Sequence, residues 1–219
     1  MTPLALTTER KGLVLNLVHR VRVPAANTQG RLPAVVLLHG WTGDEMAMRI
    51  FQAAVPPGAM AVSPRGPVAA GEGYGWVDRQ SGDLSPASGV AALREFVRGL
   101  PEVYPVDPAR LVLVGFSQGG AMGLSLAITD PERVAAVAVL AGYLPDWARV
   151  QITPASLAGR PVFIWHGSQD TTVPLARAAV MREALEAAGA DVTYHEYPTG
   201  HKVNRQGMKD LKQWLAGHV

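Results

Sequence analysis

The sequence predicts an α/β fold: a mostly parallel central sheet with helices on both faces and little or no cap. Three observations carry this. Strand-like apolar runs alternate with helix-like segments along most of the chain, and the segments between strands are long enough for right-handed crossovers. Several strand candidates are continuously apolar, such as Ala34–His39 (AVVLLH) and Pro161–His166 (PVFIWH), as strands covered on both faces are. The loops after His39, Ser63, Phe116, Leu140 and His166 carry glycines. They all fall at the carboxyl edge of the sheet, where such folds bind ligands.

Taken in order, Leu13–Val23 (LVLNLVHRVRV) alternates apolar and polar residues, the period of a half-buried strand or pair of strands at a sheet edge. Pro24 to Pro33 reads as a polar turn segment, and Ala34–His39 as the first buried strand. The loop His39-Gly40-Trp41-Thr42-Gly43-Asp44-Glu45 follows, then a helix over Met46–Val55 closed by Pro56-Pro57-Gly58. Ala59–Ser63 is a short buried strand, and Pro64 opens a long glycine-bearing loop to Gly82. Ser88–Leu100 is an amphipathic helix. Asp107–Arg110 is a loop feeding a strand at Leu111–Gly115, and Ala121–Ile128 is helical. Val134–Leu140 is another buried strand, and Ala141–Gly159 is irregular with at most one helical turn. After the strand Pro161–His166 come a helix over Pro174–Ala188 ended by Gly189, an alternating strand Asp191–Tyr197, and a closing helix Asn204–Leu215. No repeat, low-complexity tract or linker interrupts this order, so all 219 residues are expected to form one domain.

Composition excludes several classes. Hydrophobic residues make up 48% and charged residues 17% of the chain, which fits a globular protein and not a disordered one. The formal net charge is +2, and the basic residues are spread without runs or interleaved aromatics, so nucleic acid is not an expected partner. Cysteine is absent, which removes disulfides, thiolate zinc sites and a thiol nucleophile. No apolar run is long enough to cross a membrane. The first residues lack the basic and apolar pattern of a secretory leader, so a cytoplasmic protein, monomer or homodimer, is the expectation.

The stretch Val112–Met122 organises the rest. It reads as strand, sharp turn and helix, and the turn is Gly115-Phe116-Ser117-Gln118-Gly119. This G-x-S-x-G pattern resembles the nucleophile elbow of α/β-hydrolases. A serine in a strained turn projects its hydroxyl above the sheet. Side chains two residues to either side would collide where strand and helix meet. The helix N-terminus then faces the serine, where negative charge develops. The pentapeptide alone also fits a glycine turn with an incidental serine; the strand–turn–helix context is what favours the elbow.

An α/β-hydrolase takes its acid and base after the serine, in the order Ser, Asp/Glu, His. Asp170 follows the strand ending at His166, and His201 follows the strand ending at Tyr197. Both therefore sit in loops on the edge that carries Ser117. Asp44, Asp146 and Asp191 compete with Asp170. Asp44 is read as holding its own loop by local hydrogen bonds, and Asp191 as a cap or surface group.

The set LLHGWTGDE, SPRGP, GFSQGGAM, WHGSQDTTVP and PTGH, running from Leu37 to His201, resembles the phospholipase/carboxylesterase family of α/β-hydrolases, which includes acyl-protein thioesterases. The resemblance implies a triad of Ser117, Asp170 and His201. It implies an oxyanion hole made by the backbone N–H groups of Trp41 and Gln118, and hydrolysis of carboxylic esters or thioesters without cofactor or metal. A small-molecule ester of small to medium acyl length is the expected substrate, and acyl-protein thioesterase or lysophospholipase activity is the alternative. A non-catalytic binding protein on the same fold is the alternative from another class. Trp41-Thr42 departs from the residue pattern common at that loop among the family's thioesterases, and the tryptophan should reshape the acyl pocket. Trp41, Met46, Tyr74, Trp76, Leu144 and Trp147 are the candidates for lining it. Among the remaining histidines, His39 and His166 are expected to hold loops by hydrogen bonds, His195 to lie on a strand face, and His19 and His218 to be solvated. No His/Asp/Glu cluster has metal-ligand spacing.

Overall fold

The computed structural model describes residues 5–10, 13–24, 30–77 and 87–219. Among these, eight strands form one sheet: β1 (Ala5–Arg10), β2 (Leu13–Arg22), β3 (Leu32–Leu38), β4 (Met60–Pro64), β7 (Val106–Phe116), β8 (Ala136–Leu140), β9 (Pro161–Gly167) and β10 (Asp191–Tyr197), in the order β1-β2-β4-β3-β7-β8-β9-β10. The first two are antiparallel to each other, β2 is antiparallel to β4, and every later pairing is parallel. A separate hairpin pairs β5 (Val68–Ala70) with β6 (Gly73–Gly75). The helices are α1 (Ala87–Val103), α2 (Gln118–Thr129), α3 (Asp146–Arg149), α4 (Leu175–Ala187) and α5 (Arg205–His218).

The buried strands divide the interior by their two-residue period. Val36, Leu38, Leu113, Val137 and Ile164 face one core, which α1, α2 and α4 cover. Val35, Leu37, Val114, Ala138, Phe163 and Trp165 face the other, which Met48, Phe51 and the α5 residues Leu211, Trp214 and Leu215 cover. Continuous apolar runs are needed because neither face meets water.

Four expectations change. Met46–Val55 is a 3-10 helix over Ala47–Ala53, started by Asp44, whose Oδ1 accepts the Met46 and Ala47 N–H groups at 2.8 and 2.9 Å. Asp107–Arg110 lies within β7, where the register shifts between the pairs Leu32–Val106 and Ala34–Leu111; the extra residues form a bulge. The loop after Pro64 contains the β5–β6 hairpin, and its residues 78–82 lie outside the described residues, as do 25–29 of the Pro24–Pro33 segment. His19 is buried: its Nδ1–H donates to the Leu17 carbonyl and its Nε2 accepts from the Tyr104 hydroxyl, both at 2.8 Å. Burial pushes its pKa down.

The loops after β3 and β4 are locked together by an ion pair. Glu45, only 6% exposed, accepts from Arg65 Nε and Nη2 at 2.7 and 2.8 Å. Arg65 Nη1 donates to the Tyr74 hydroxyl at 3.2 Å, and the guanidinium lies 4.4 Å from the centre of the Tyr74 ring. The hydrogen bonds from Arg65 hold the Glu45 carboxyl below its usual 4.5 against burial, which pushes it up. Glu45→Gln is therefore expected to cost about 2 kcal/mol of stability at neutral pH. A depressed carboxyl stabilises the fold above its unfolded pKa, and this is lost as pH falls through the folded one. The deficit of the variant should thus be full at pH 7 and shrink below about pH 4.5, which urea unfolding at several pH values will measure.

Candidate active site

Ser117 stands between β7 and α2 with φ 54° and ψ −119°, a left-handed conformation that a non-glycine residue adopts only when its surroundings impose it. The surroundings here are backbone contacts. A Cβ on Gly115 would lie 2.3 Å from the Gly119 carbonyl, and one on Gly119 would lie 2.3 Å from the Leu38 oxygen. Glycine at both positions lets the strand, the helix and the end of β3 meet. The Ser117 N–H is used by the fold, donating to the Leu140 carbonyl at 2.9 Å. Its side chain is left to point away from the sheet.

Two strands from β7, the end of β9 leads to Asp170, and one strand further the end of β10 leads to His201. The structure brings both to Ser117. His201 Nδ1–H donates to Asp170 Oδ2 at 2.7 Å, and His201 Nε2 lies 3.0 Å from Ser117 Oγ. The Asp170 interaction fixes the tautomer: Nε2 is the free acceptor for the serine proton. Asp170 is 7% exposed. Its Oδ1 accepts the Thr172 and Val173 N–H groups at 2.8 and 2.9 Å. Burial pushes its pKa up, but the hydrogen bonds from His201, Val173 and Thr172 outweigh it and hold the carboxyl below its usual value. The carboxylate stays charged next to the imidazole.

The loop after β3 closes on the same serine. A Cβ on Gly40 would sit 3.3 Å from Ser117 Cβ, so the Gly40–Trp41 peptide adjoins Ser117. Gln118, the first residue of α2, has an N–H among those that a helix leaves without an internal acceptor. His39 is fully buried; its Nδ1–H donates to the Gly40 carbonyl at 2.7 Å and its Nε2 accepts the Gly66 N–H at 2.8 Å. Burial pushes its pKa down. It holds the loop, as expected, and so does His166, whose Nε2–H donates to the Val173 carbonyl at 2.8 Å.

Beside His201 opens a cavity of about 510 Å³, walled by Trp41, Met48, Ile50, Phe51, Phe116 and Val203, with Gly40 and Lys202 also on its border. Of the six predicted lining residues only Trp41 is there. Met46 precedes the 3-10 helix. With three residues per turn, that helix instead presents Ala47 with Ile50, and Met48 with Phe51, to the cavity. Tyr74 lies behind the loop, its N–H bonded to the Gly43 carbonyl at 2.8 Å. Trp76 is fully buried, with its indole N–H on the His39 carbonyl at 2.9 Å. Leu144 borders a separate cleft with Asp146 and Arg177, and Trp147 packs against the larger core. Phe116 was readable as part of the elbow, but Val203 and Lys202 carry no sequence signal beyond following His201. Among the described residues, no group of three or more His, Cys, Asp or Glu side chains could hold a metal ion, and no helix is long and apolar enough to cross a membrane.

Comparison with known proteins gives the family and the fold. A family model for Phospholipase/Carboxylesterase proteins matches residues 90–219, more than half of the chain. A probable carboxylesterase of Oryza sativa subsp. japonica is 27% identical over 174 residues, covering 74% of this chain and 65% of its own length. Acyl-protein thioesterase 1 of Emericella nidulans is 35% identical over 117 residues, covering 50% of this chain and 48% of its own length. The chain thus spans about half to two thirds of the length of these curated relatives. A carboxylesterase structure from Mesorhizobium loti superposes with a TM-score of 0.81 at 24% identity, over 98% of this chain and 99% of that one, a likeness of fold. With the elbow, the sheet order and the family match together, the chain belongs to the phospholipase/carboxylesterase family of α/β-hydrolases.

Proposed function

We propose that this protein hydrolyses carboxylic esters of small to medium acyl length through an acyl-enzyme on Ser117. The observation that carries the reading is the hydrogen-bond chain from Asp170 through His201 to Ser117, next to an apolar cavity of about 510 Å³. His201 Nε2 takes the Ser117 proton as Oγ attacks the ester carbonyl carbon. The carbonyl oxygen becomes an oxyanion facing the backbone N–H groups of Gln118 and Trp41. Asp170 stabilises the imidazolium without itself accepting the proton. The oxyanion then collapses, and the departing alcohol oxygen takes the proton from His201. Water, deprotonated by His201, attacks the acyl-enzyme and releases the acid and free Ser117.

The printed names of the relatives, carboxylesterase in rice and acyl-protein thioesterase in Emericella nidulans, support acyl transfer and leave esters and thioesters as two readings. A small to medium acyl group is favoured by the connection between β8 and β9, where the helix α3 spans only four residues. The reading extends to a small-molecule substrate and to a cytoplasmic monomer or homodimer. Rates on p-nitrophenyl esters and matched thioesters of graded chain length test it. Short and medium esters should be preferred.

Four variants test the roles. Ser117→Ala should keep the fold by circular dichroism and lower kcat by about 10⁵-fold or more; a variant retaining several per cent of activity would assign the nucleophile elsewhere. A serine-reactive phosphonate should label wild-type Ser117, and failure to do so favours a non-catalytic binding protein. Asp170→Asn should cost about 10³-fold or more in kcat, because its amide no longer holds the Nε2-acceptor tautomer; an unchanged rate would overturn the role of Asp170. Trp41→Ala should shift preference toward bulkier acyl groups with the chemistry intact. Trp41→Pro removes the N–H and should lower kcat by a further hundred- to thousand-fold, about 3–4 kcal/mol. If folded Trp41→Pro matches Trp41→Ala, the second donor lies elsewhere, with the Thr42 N–H next.

A further inference from the structure

Trp76 is not among the residues that line the cavity, yet it bonds to both segments that flank Ser117. Its backbone N–H donates to the side-chain Oε1 of Gln118 at 2.8 Å, and its indole Nε1–H donates to the His39 carbonyl at 2.9 Å. Gln118 directly follows the serine. His39 directly precedes Gly40, whose Cβ position is 3.3 Å from Ser117 Cβ. The indole also faces the His39 imidazole, with ring centres 5.3 Å apart. On its far side Trp76 is held by α1, where a Cβ on Gly89 would come within 2.1 Å of the Trp76 carbonyl oxygen. Trp76 and His39 are fully buried and Gln118 is 6% exposed, so water offers these groups little alternative partnership.

We propose that Trp76 is a positioning residue that ties the His39–Trp41 segment to Gln118, and so sets the spacing of the backbone donors that receive the oxyanion. The proposal rests on the reading of Ser117 as the nucleophile. The need for such a tie is geometric. One donor segment ends β3 and the other starts α2, and oxyanion stabilisation is lost when donors are misplaced by a fraction of an ångström. A residue that merely fills space would use its ring; Trp76 also spends both of its N–H groups, one on each segment. The Gln118 side chain is the second half of the device, since its amide oxygen accepts the bond that joins the elbow to the end of β6.

Trp76→Phe keeps an aromatic ring and the backbone N–H, and removes the indole donor with part of the buried ring. On p-nitrophenyl butyrate its kcat should fall about 10- to 100-fold with KM within about twofold. Its affinity for phenylboronic acid, which forms a tetrahedral adduct on Ser117, should weaken by the same factor. Gln118→Met removes the other bond and should give the same split, and the double variant should be little worse than the poorer single one, because the two act as a unit. If the wild type neither hydrolyses the ester nor binds the boronate, the reading of Ser117 fails. If the wild type does both and folded Trp76→Phe matches it in kcat and boronate affinity, the positioning role alone is overturned. A loss confined to thermal stability or to KM overturns it equally. Should Trp76→Phe not fold, Gln118→Met decides by the same criteria.

Discussion

The site depends on one close approach of three backbones. The end of β3, the end of β7 and the first turn of α2 meet at Gly115 and Gly119 with room for hydrogen atoms only. That contact turns the chain through the left-handed conformation at Ser117. Such a residue costs of order 1–3 kcal/mol, and the surrounding packing must supply it. Helix α2 does so by burial on all sides: every residue from Gln118 to Ile128 is buried. A helix apolar all round belongs in a core, and this one lies against α1 and the sheet. The strained turn is held by some of the most deeply buried structure in the molecule.

Around this apolar anchor, the sheet edge that carries Ser117 is shaped by polar groups that satisfy one another. Asp44 starts the 3-10 helix, His39 takes the Gly66 N–H, Tyr74 takes a bond from Arg65 and gives one to Gly43, and Glu45 carries the charge opposite Arg65. The β5–β6 hairpin sits under the Trp41 loop, close enough that a Cβ on Gly75 would reach within 2.3 Å of the indole. Loops of such length hold a shape when their buried donors and acceptors are paired. The result is a rigid rim on the side of the cavity away from β10.

On the other side, electrostatics orders the parts. Asp170 is buried and still an ion, because two backbone N–H groups and the His201 imidazole together outweigh desolvation. The two backbone bonds occupy Oδ1 and leave Oδ2 for the imidazole. Geometry and charge thus fix the His201 ring from one side only, with Nε2 turned to the serine. The apolar wall at Phe116, whose ring centre lies 5.0 Å from that of His201, limits how far the ring can tilt.

The sequence alone outlined most of the strands and helices, though not β1 or the β5–β6 hairpin, together with the elbow and the strand-end loops that carry Ser117, Asp170 and His201. These are local: each rests on a continuous apolar run or on a glycine turn next to it, and strand-end loops in a parallel sheet share one edge whatever their distance along the chain. The strand Asp191–Tyr197 was legible to the residue. Tertiary structure alone decided which face each buried side chain serves, since runs such as Ala34–Leu38 are apolar in both directions and carry no face label. It also decided the pocket. Trp76 and Met46 look like pocket residues by type, but a hairpin invisible to hydrophobic periodicity turns the first into the core. A three-residue helical turn puts Met48 in the second one's place. His19 was misread for the same reason: its position near the start of the chain suggests water, and only the packing of β2 against α1 buries it. Pocket walls are made from segments distant in sequence, and their register is set by packing contacts that no local pattern encodes.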